Sequence, residues 1–120
     1  MLKIRPDQEA VLLRAKRERF VTRVMAHLRR HWTEEVSGMD EAGLRDHIET
    51  HRDKAEDYGV DIEADVMKYI EVASLLGPGF DNDAAYPWAK KILRNADWRG
   101  RVKAQLLRER AVLTLQQKGS

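Results

Sequence analysis

The sequence predicts an all-α protein, a single-domain bundle of four to five helices, and three observations predict it. Apolar residues recur at three- and four-residue spacing along most of the chain, which places them on one face of a helix. Stretches rich in Gly, Pro, Asp or Asn interrupt those runs, and no β-alternation of useful length occurs. The 120 residues fit one domain, large enough to hide a core without covalent staples. That domain is expected to span residues 1–118, with Gly119 and Ser120 frayed.

The first helix is expected to open at Pro6, whose missing N–H costs nothing in a first turn. Asp7 and Glu9 follow where the helix dipole favours carboxylates. Leu13, Phe20, Val21, Val24, Leu28 and Trp32 trace its apolar stripe, and Thr33 to Gly38 breaks it. Asp40 is the expected cap of a second helix with Leu44, Ile48, Ala55 and Tyr58 on its inner face. Gly59 then stands where a left-handed residue ends a helix. Asp61 is expected to cap the third, whose inner residues are Val66, Tyr69, Ile70, Ala73 and Leu76. Gly77-Pro78-Gly79 stops it, since proline cannot continue a helix. An eleven-residue loop, Gly77 to Pro87, leads to a short fourth helix carrying Trp88, Ile92 and Leu93. Asp97 is the expected cap of the last helix, which from Trp98 would place Val102, Leu106 and Leu113 on the core.

Composition narrows the function. With no cysteine, disulfides and thiolate-bound zinc are excluded. Apolar residues make up 42% of the chain, too many at helical spacing for disorder. No apolar run approaches the roughly 20 residues of a membrane span, so no membrane association is expected. The basic start lacks an apolar h-region, so no secretory signal is expected either. The net charge of +2 conceals three blocks: +6 over residues 1–32, −11 over 33–86 and +7 over 87–120. Either the basic ends pack beside the acidic middle within the domain, or the surface is bipolar and steers a charged protein partner.

All four histidines fall in pairs at i, i+4, His27 with His31 and His47 with His51. Such pairs share a helix face and offer imidazoles to zinc. The glutamate of His47-Ile48-Glu49-Thr50-His51 is one place too late for the metalloprotease pattern, and His27 and His31 flank the apolar stripe. Asp81-Asn82-Asp83 has oxygen ligands but none of the spacing of a calcium loop. No metal site and no cofactor are therefore expected. No nucleophile motif, phosphate-cradling loop or dinucleotide fingerprint occurs, and the chain reads as a non-enzyme. Arg14 to Arg17, Arg29-Arg30 and the basic last helix (Arg99, Arg101, Lys103, Arg108, Arg110) keep a nucleic-acid-binding module using the first and last helices as an alternative. The acidic middle disfavours it.

The long loop is the expected partner-binding site. Phe80, Asp81, Asp83, Tyr86 and the adjoining Trp88 combine apolar anchors with charge suited to a basic protein surface. A structural reading competes: Phe80 and Tyr86 plug the end of the bundle, the aspartates cap turns, and Trp88 packs the loop onto the core.

Several segments resemble a group of small helical bacterial proteins often encoded beside spike and effector genes of type VI secretion systems. They are the opening Met1 to Gln8, FVTRVMAHLRRHW (20–32), YGVDIEADVMKYIEVASLLGPGFD (58–81) and Pro87-Trp88-Ala89, and the resemblance covers roughly residues 1–94. It implies a cytoplasmic, non-enzymatic accessory protein that binds another protein. The roles implied are an adaptor or chaperone for an effector or spike, or an immunity protein that neutralises an effector. It implies no catalytic residue, and the sequence leaves the oligomeric state open.

Overall fold

In the computed structural model, residues 5–118 are described; Gly119 and Ser120, expected to fray, lie outside them, as does the Met1 to Ile4 part of the resembling opening. Helix α1 runs Pro6–His31, α2 Glu41–Asp57, α3 Glu63–Leu76, α4 Pro87–Leu93 and α5 Gly100–Lys118, with a single 3₁₀ turn at Phe80–Asn82. No strand occurs among the described residues, and the fold is all-α. α3 is the central helix: α5 packs on it, α2 packs on it, and α1 lies across α2 and α3. α4 joins α5 to the 3₁₀ turn. The molecule is flat and elongated, 59 × 37 × 18 Å.

Local chemistry explains most boundaries. α1 starts at Pro6, and the Gln8 side chain reaches back to accept from the Arg5 N–H. Asp40 caps α2 by accepting from Gly43 N–H at 2.7 Å. α2 ends at the left-handed Gly59, φ +84°. Phe20, Val21, Val24 and Leu28 of α1 meet Leu44, Ile48 and Ala55 of α2 and Val66, Tyr69, Ile70 and Ala73 of α3 in one core. Trp32, Tyr58 and Leu76 pack partly buried against it.

Four expectations are corrected. Asp61 does not cap α3: the N-cap is Ile62 and the helix begins at Glu63. The chain first drives Val60 fully into the core, its N–H bonded to Ala55 O, and that detour delays the helix. Asp97 does not cap α5, which starts at Gly100. Asn95 organises the preceding turn instead, its side chain accepting from Asp97 N–H and its carbonyl from Trp98 N–H.

The inner face of α5 is also different. Val102 and Leu113 are 41% and 47% exposed, Leu106 is partly buried, and Lys103, Ala104, Leu107 and Ala111 face inward. Apolar residues surround α5, so several stripes are equally periodic, and small alanines win because they let α3 approach closely. The start of α5 is equally tight. A Cβ on Gly100 would strike the Gly59 carbonyl oxygen, so only glycine fits there.

Leu13 is likewise 54% exposed, because the packing of α1 on the core begins only at Phe20. Before it, every described residue of α1 but Ala15 is exposed. Leu13, Lys16 and Arg17 face α2 and α3 across a cleft and Glu18 pairs with Arg45, so only the stretch from Pro6 to Leu12 stands off the domain as an arm.

Tyr69 of α3 is fully buried, its ring centroid 5.2 Å from that of Phe80 and 6.3 Å from that of Tyr58. Its hydroxyl has no hydrogen-bond partner among the described residues. Removing a buried, unpaired hydroxyl relieves a desolvation cost. Tyr69→Phe is therefore expected to leave urea stability unchanged or raise it by about 1 kcal/mol. A loss of more than about 1 kcal/mol would mean that the hydroxyl is bonded.

Candidate functional site

The loop expected to recognise a partner is folded inward. Residues 47, 51, 54 and 58 share one face of α2 by their 4-3-4 spacing. That face meets the end of α3 and the loop. Nε2 of His47 lies 2.9 Å from Ser74 Oγ, and Ser74 in turn donates to Ile70 O. His51 sets Nδ1 2.7 Å from His47 O and Nε2 3.2 Å from Pro78 O. Lys54 Nζ donates to Asp81 Oδ1 at 2.7 Å, and Tyr58 Oη donates to Asp81 Oδ2 at 2.7 Å. Lys103 Nζ of α5 reaches the Tyr58 carbonyl at 2.8 Å, a cation at the carbonyl end of α2. Tyr58 thus joins the loop, α2 and α5.

The expected partner-binding residues therefore divide. Phe80 and Asp81 are each 1% exposed, against Tyr69 and between Lys54 and Tyr58, so neither is available to a partner in this fold. Tyr86 is 8% exposed, and its ring lies beside that of Trp88. Trp88 is partly buried beneath the Arg110 guanidinium, 5.5 Å from the ring centre, and holds the loop's exit against α5. Only Asp83 is exposed, and it accepts from Ala85 N–H as a turn-forming aspartate does. The plug reading describes Phe80, Tyr86, Trp88 and the turn-forming Asp83, but not Asp81, which pairs with Lys54 and Tyr58 in the interior instead of capping a turn. A lysine and a tyrosine more than 20 positions upstream make Asp81 an interior residue, and no local signal announces such distant partners.

Burial, reinforced by His51, pushes the His47 imidazole down to about 4. Burial and the adjoining Asp81 carboxylate push the Tyr58 hydroxyl up to about 12. Burial, with Asp81 nearby, also raises the Tyr69 hydroxyl above its ordinary value. Burial alone would raise the Asp81 carboxyl, but hydrogen bonds from Lys54 and Tyr58 outweigh it and hold the group below the usual range. All four shifts lead away from neutrality, so these groups hold fixed protonation states at pH 7. The network fastens; it poises none of them for proton transfer.

The histidine pairs are engaged separately. His27 and His31 lie 4.7 Å apart by ring centroid, His47 and His51 4.6 Å. His27 Nε2 is 3.1 Å from Glu71 Oε2, a buried carboxylate that also accepts from Trp32 Nε1 at 2.8 Å. Among the described residues no group of three or more His, Asp or Glu side chains could hold a metal ion.

Ion pairs join the charge blocks only sparsely among the described residues. Arg23 pairs with Glu63 at 2.7 Å, first block to second, whereas Arg45 pairs with Glu18 against the block pattern. Lys90, Lys91, Arg94, Arg99, Arg101, Arg108 and Arg110 are all exposed, and none is in an ion pair among the described residues. Among them, Trp98, Val102, Val112, Leu113 and Leu115 are 37% to 47% exposed. On the other side of α3, the outer stripe of α2 carries exposed Asp46, Asp53, Glu56 and Asp57. The surface is bipolar, with a basic, apolar-studded face on α4–α5. The sequence signal for it was an α5 with more apolar residues than one stripe needs. Among the described residues no helix is long and apolar enough to cross a membrane. Comparison with protein-family models, curated proteins and solved structures finds no match.

The network makes stability pH-dependent with a definite sign. Unfolded, His47 takes up a proton as pH falls through 6.5; folded, it resists until about 4. Its stabilising contribution is present above 6.5 and lost as pH falls toward 4, by up to about 3 kcal/mol. The Asp81 contribution is present above 3.8 and is lost below that. Melting temperatures are expected to fall between pH 7 and pH 4.5, and His47→Gln, which does not titrate, to flatten much of that fall. Parallel pH profiles for the two proteins would remove His47 as the cause.

Proposed function

We propose that this chain is a non-enzymatic protein-binding accessory factor whose binding face is the basic, apolar-studded surface of α4 and α5. The observation that carries this is the seven exposed cations of residues 90–110, none in an ion pair among the described residues, on the same stretch of chain as the exposed Trp98, Val102, Val112 and Leu113. Apolar side chains at the centre of a patch supply binding energy on desolvation, while surrounding charge steers the encounter and selects an acidic partner. Trp98, Val102, Val112 and Leu113 do not belong to the core, so the apolar part of this surface is free to be used. The resemblance of residues 20–32 and 58–81 to proteins encoded beside type VI secretion genes supplies the partner class, an effector or spike component. Adaptor or chaperone is the first role and immunity protein the second. Co-expression with the effector separates them, because only an immunity protein abolishes toxicity.

The same cations support a second reading, nucleic-acid binding, and one experiment distinguishes the two. The partner is captured from the source bacterium, identified by mass spectrometry, purified, and titrated against the wild type and two surface variants. Val102→Ser with Leu113→Ser is expected to weaken a protein complex by about tenfold or more while leaving the melting temperature unchanged. Arg99→Ser with Arg101→Ser is expected to slow association most at low salt. A nucleic-acid complex would instead ignore the apolar change and lose affinity log-linearly with salt. Full-strength capture by both variants would contradict the proposed surface.

A further inference from the structure

We propose that the cleft between α1, α2 and α3 binds a carboxylate joined by an apolar stem to a cation, as in a chain that ends in lysine. The observation that carries this is Arg52 of α2, which lines the cleft with its side chain only 11% exposed. Its Nε and Nη1 are shielded from solvent and have no hydrogen-bond partner among the described residues. Its Nη2 lies 3.7 Å from Asp53 Oδ1, too far for a hydrogen bond. A guanidinium keeps its charge inside a protein, and burying it without an acceptor is costly. An apolar residue of similar volume would fill the place without that cost, so the charge calls for an acceptor from outside the fold. No hydrogen bond holds Nε or Nη1 in the present rotamer, so turning them toward a ligand in the cleft breaks none.

The rest of the cleft says what brings that acceptor. Its volume is about 220 Å³, below the range of drug-sized ligands and enough for one amino-acid residue. α1 supplies Lys16 and Arg17, both exposed and in no ion pair among the described residues. α2 and the segment before α3 supply the exposed carboxylates of Glu56 and Asp61, which are in no ion pair there either. Glu63 also lines the cleft but is held by Arg23 at 2.7 Å. Leu13, Phe20 and Val66 supply apolar surface. A simple anion would satisfy the cations and be repelled by Glu56 and Asp61. A ligand with a carboxylate at one end and a cation at the other satisfies both sets, and its stem lies on the apolar residues. Arg52 and Arg17 can take the carboxylate in the fork geometry that guanidinium groups favour. An α-ammonium beside that carboxylate would meet the same guanidinium groups, so a chain terminus, whose nitrogen is an uncharged amide, fits better than a free amino acid.

Calorimetric titration of the full chain with Nα-acetyl-lysine tests this. Binding is expected at about 0.1–1 mM, an ordinary affinity for so few atoms. The amide of that compound lacks the carboxylate, and Nα-acetyl-norleucine lacks the cation. Each is expected to bind about tenfold more weakly or worse. Free lysine is expected to bind more weakly than the acetylated form; tighter binding would overturn the chain terminus in favour of a free amino acid with the same two groups. Arg52→Met is expected to abolish binding while leaving the melting temperature unchanged or higher, because it removes a buried charge that has no acceptor. A clear fall in melting temperature would mean that Arg52 is paired within the fold, and would overturn the proposal. Glu56→Gln with Asp61→Asn, at exposed positions, is expected to erase the preference for acetyl-lysine over acetyl-norleucine. The cleft shares no residue with α4 or α5, so the proposed binding face stands or falls separately. No binding of Nα-acetyl-lysine at about 10 mM, or equal binding of its amide, overturns the proposed site.

Discussion

A carboxylate buried in an apolar interior must be paired or it will not stay there. Asp81 is 1% exposed, and the architecture around it follows from satisfying that charge. Lys54 and Tyr58 come from the last turn and the cap of α2, which pins the loop after α3 back onto α2. With Asp81 held there, the adjacent Phe80 ring packs on Tyr69. Tyr58 then offers its carbonyl to Lys103, and the start of α5 docks where Gly100 can pass Gly59. One buried anion thus coordinates the loop, two helix ends and the entry to a third.

That constraint decides which surfaces remain for function. A loop that must bury its phenylalanine and its first aspartate has only Asp83 and its neighbours left to show a partner. What stays on the outside is the α1 arm, the acidic stripe of α2 and the basic, apolar-studded face of α4–α5. These surfaces are built largely from residues the core does not use, and the seven exposed cations of the α4–α5 face are in no ion pair among the described residues. The buried network holds its four shifted groups away from neutral-pH titration, which suits a rigid support better than a site of proton transfer.

Much of this was legible in the residues themselves. Pro6, Asp40, Gly59, Gly77 and Pro87 mark helix ends by mechanisms that act within a few positions, and all five act there. The stripes of α1 beyond Phe20, of α2 and of α3 each had a single apolar face, so periodicity oriented them. α5 was not legible because its apolar residues surround it, and only the shape of α3 and α4 selects Ala104 and Ala111 over Val102 and Leu113. Asp61 lost the capping role because Val60 had a stronger claim on the core. Asp81 was misplaced because an aspartate between a phenylalanine and an asparagine reads as solvent-exposed, and its true partners lie more than 20 residues away.

The most direct measurement is urea unfolding of Asp81→Asn beside the wild type at pH 7, with hydrogen exchange of residues 77–86 followed in both. If the buried carboxylate fastens the loop, α2 and α5 together, removing its charge costs about 2–4 kcal/mol and speeds exchange through the whole loop. Stability within about 0.5 kcal/mol of the wild type, with loop exchange unchanged, would contradict the account.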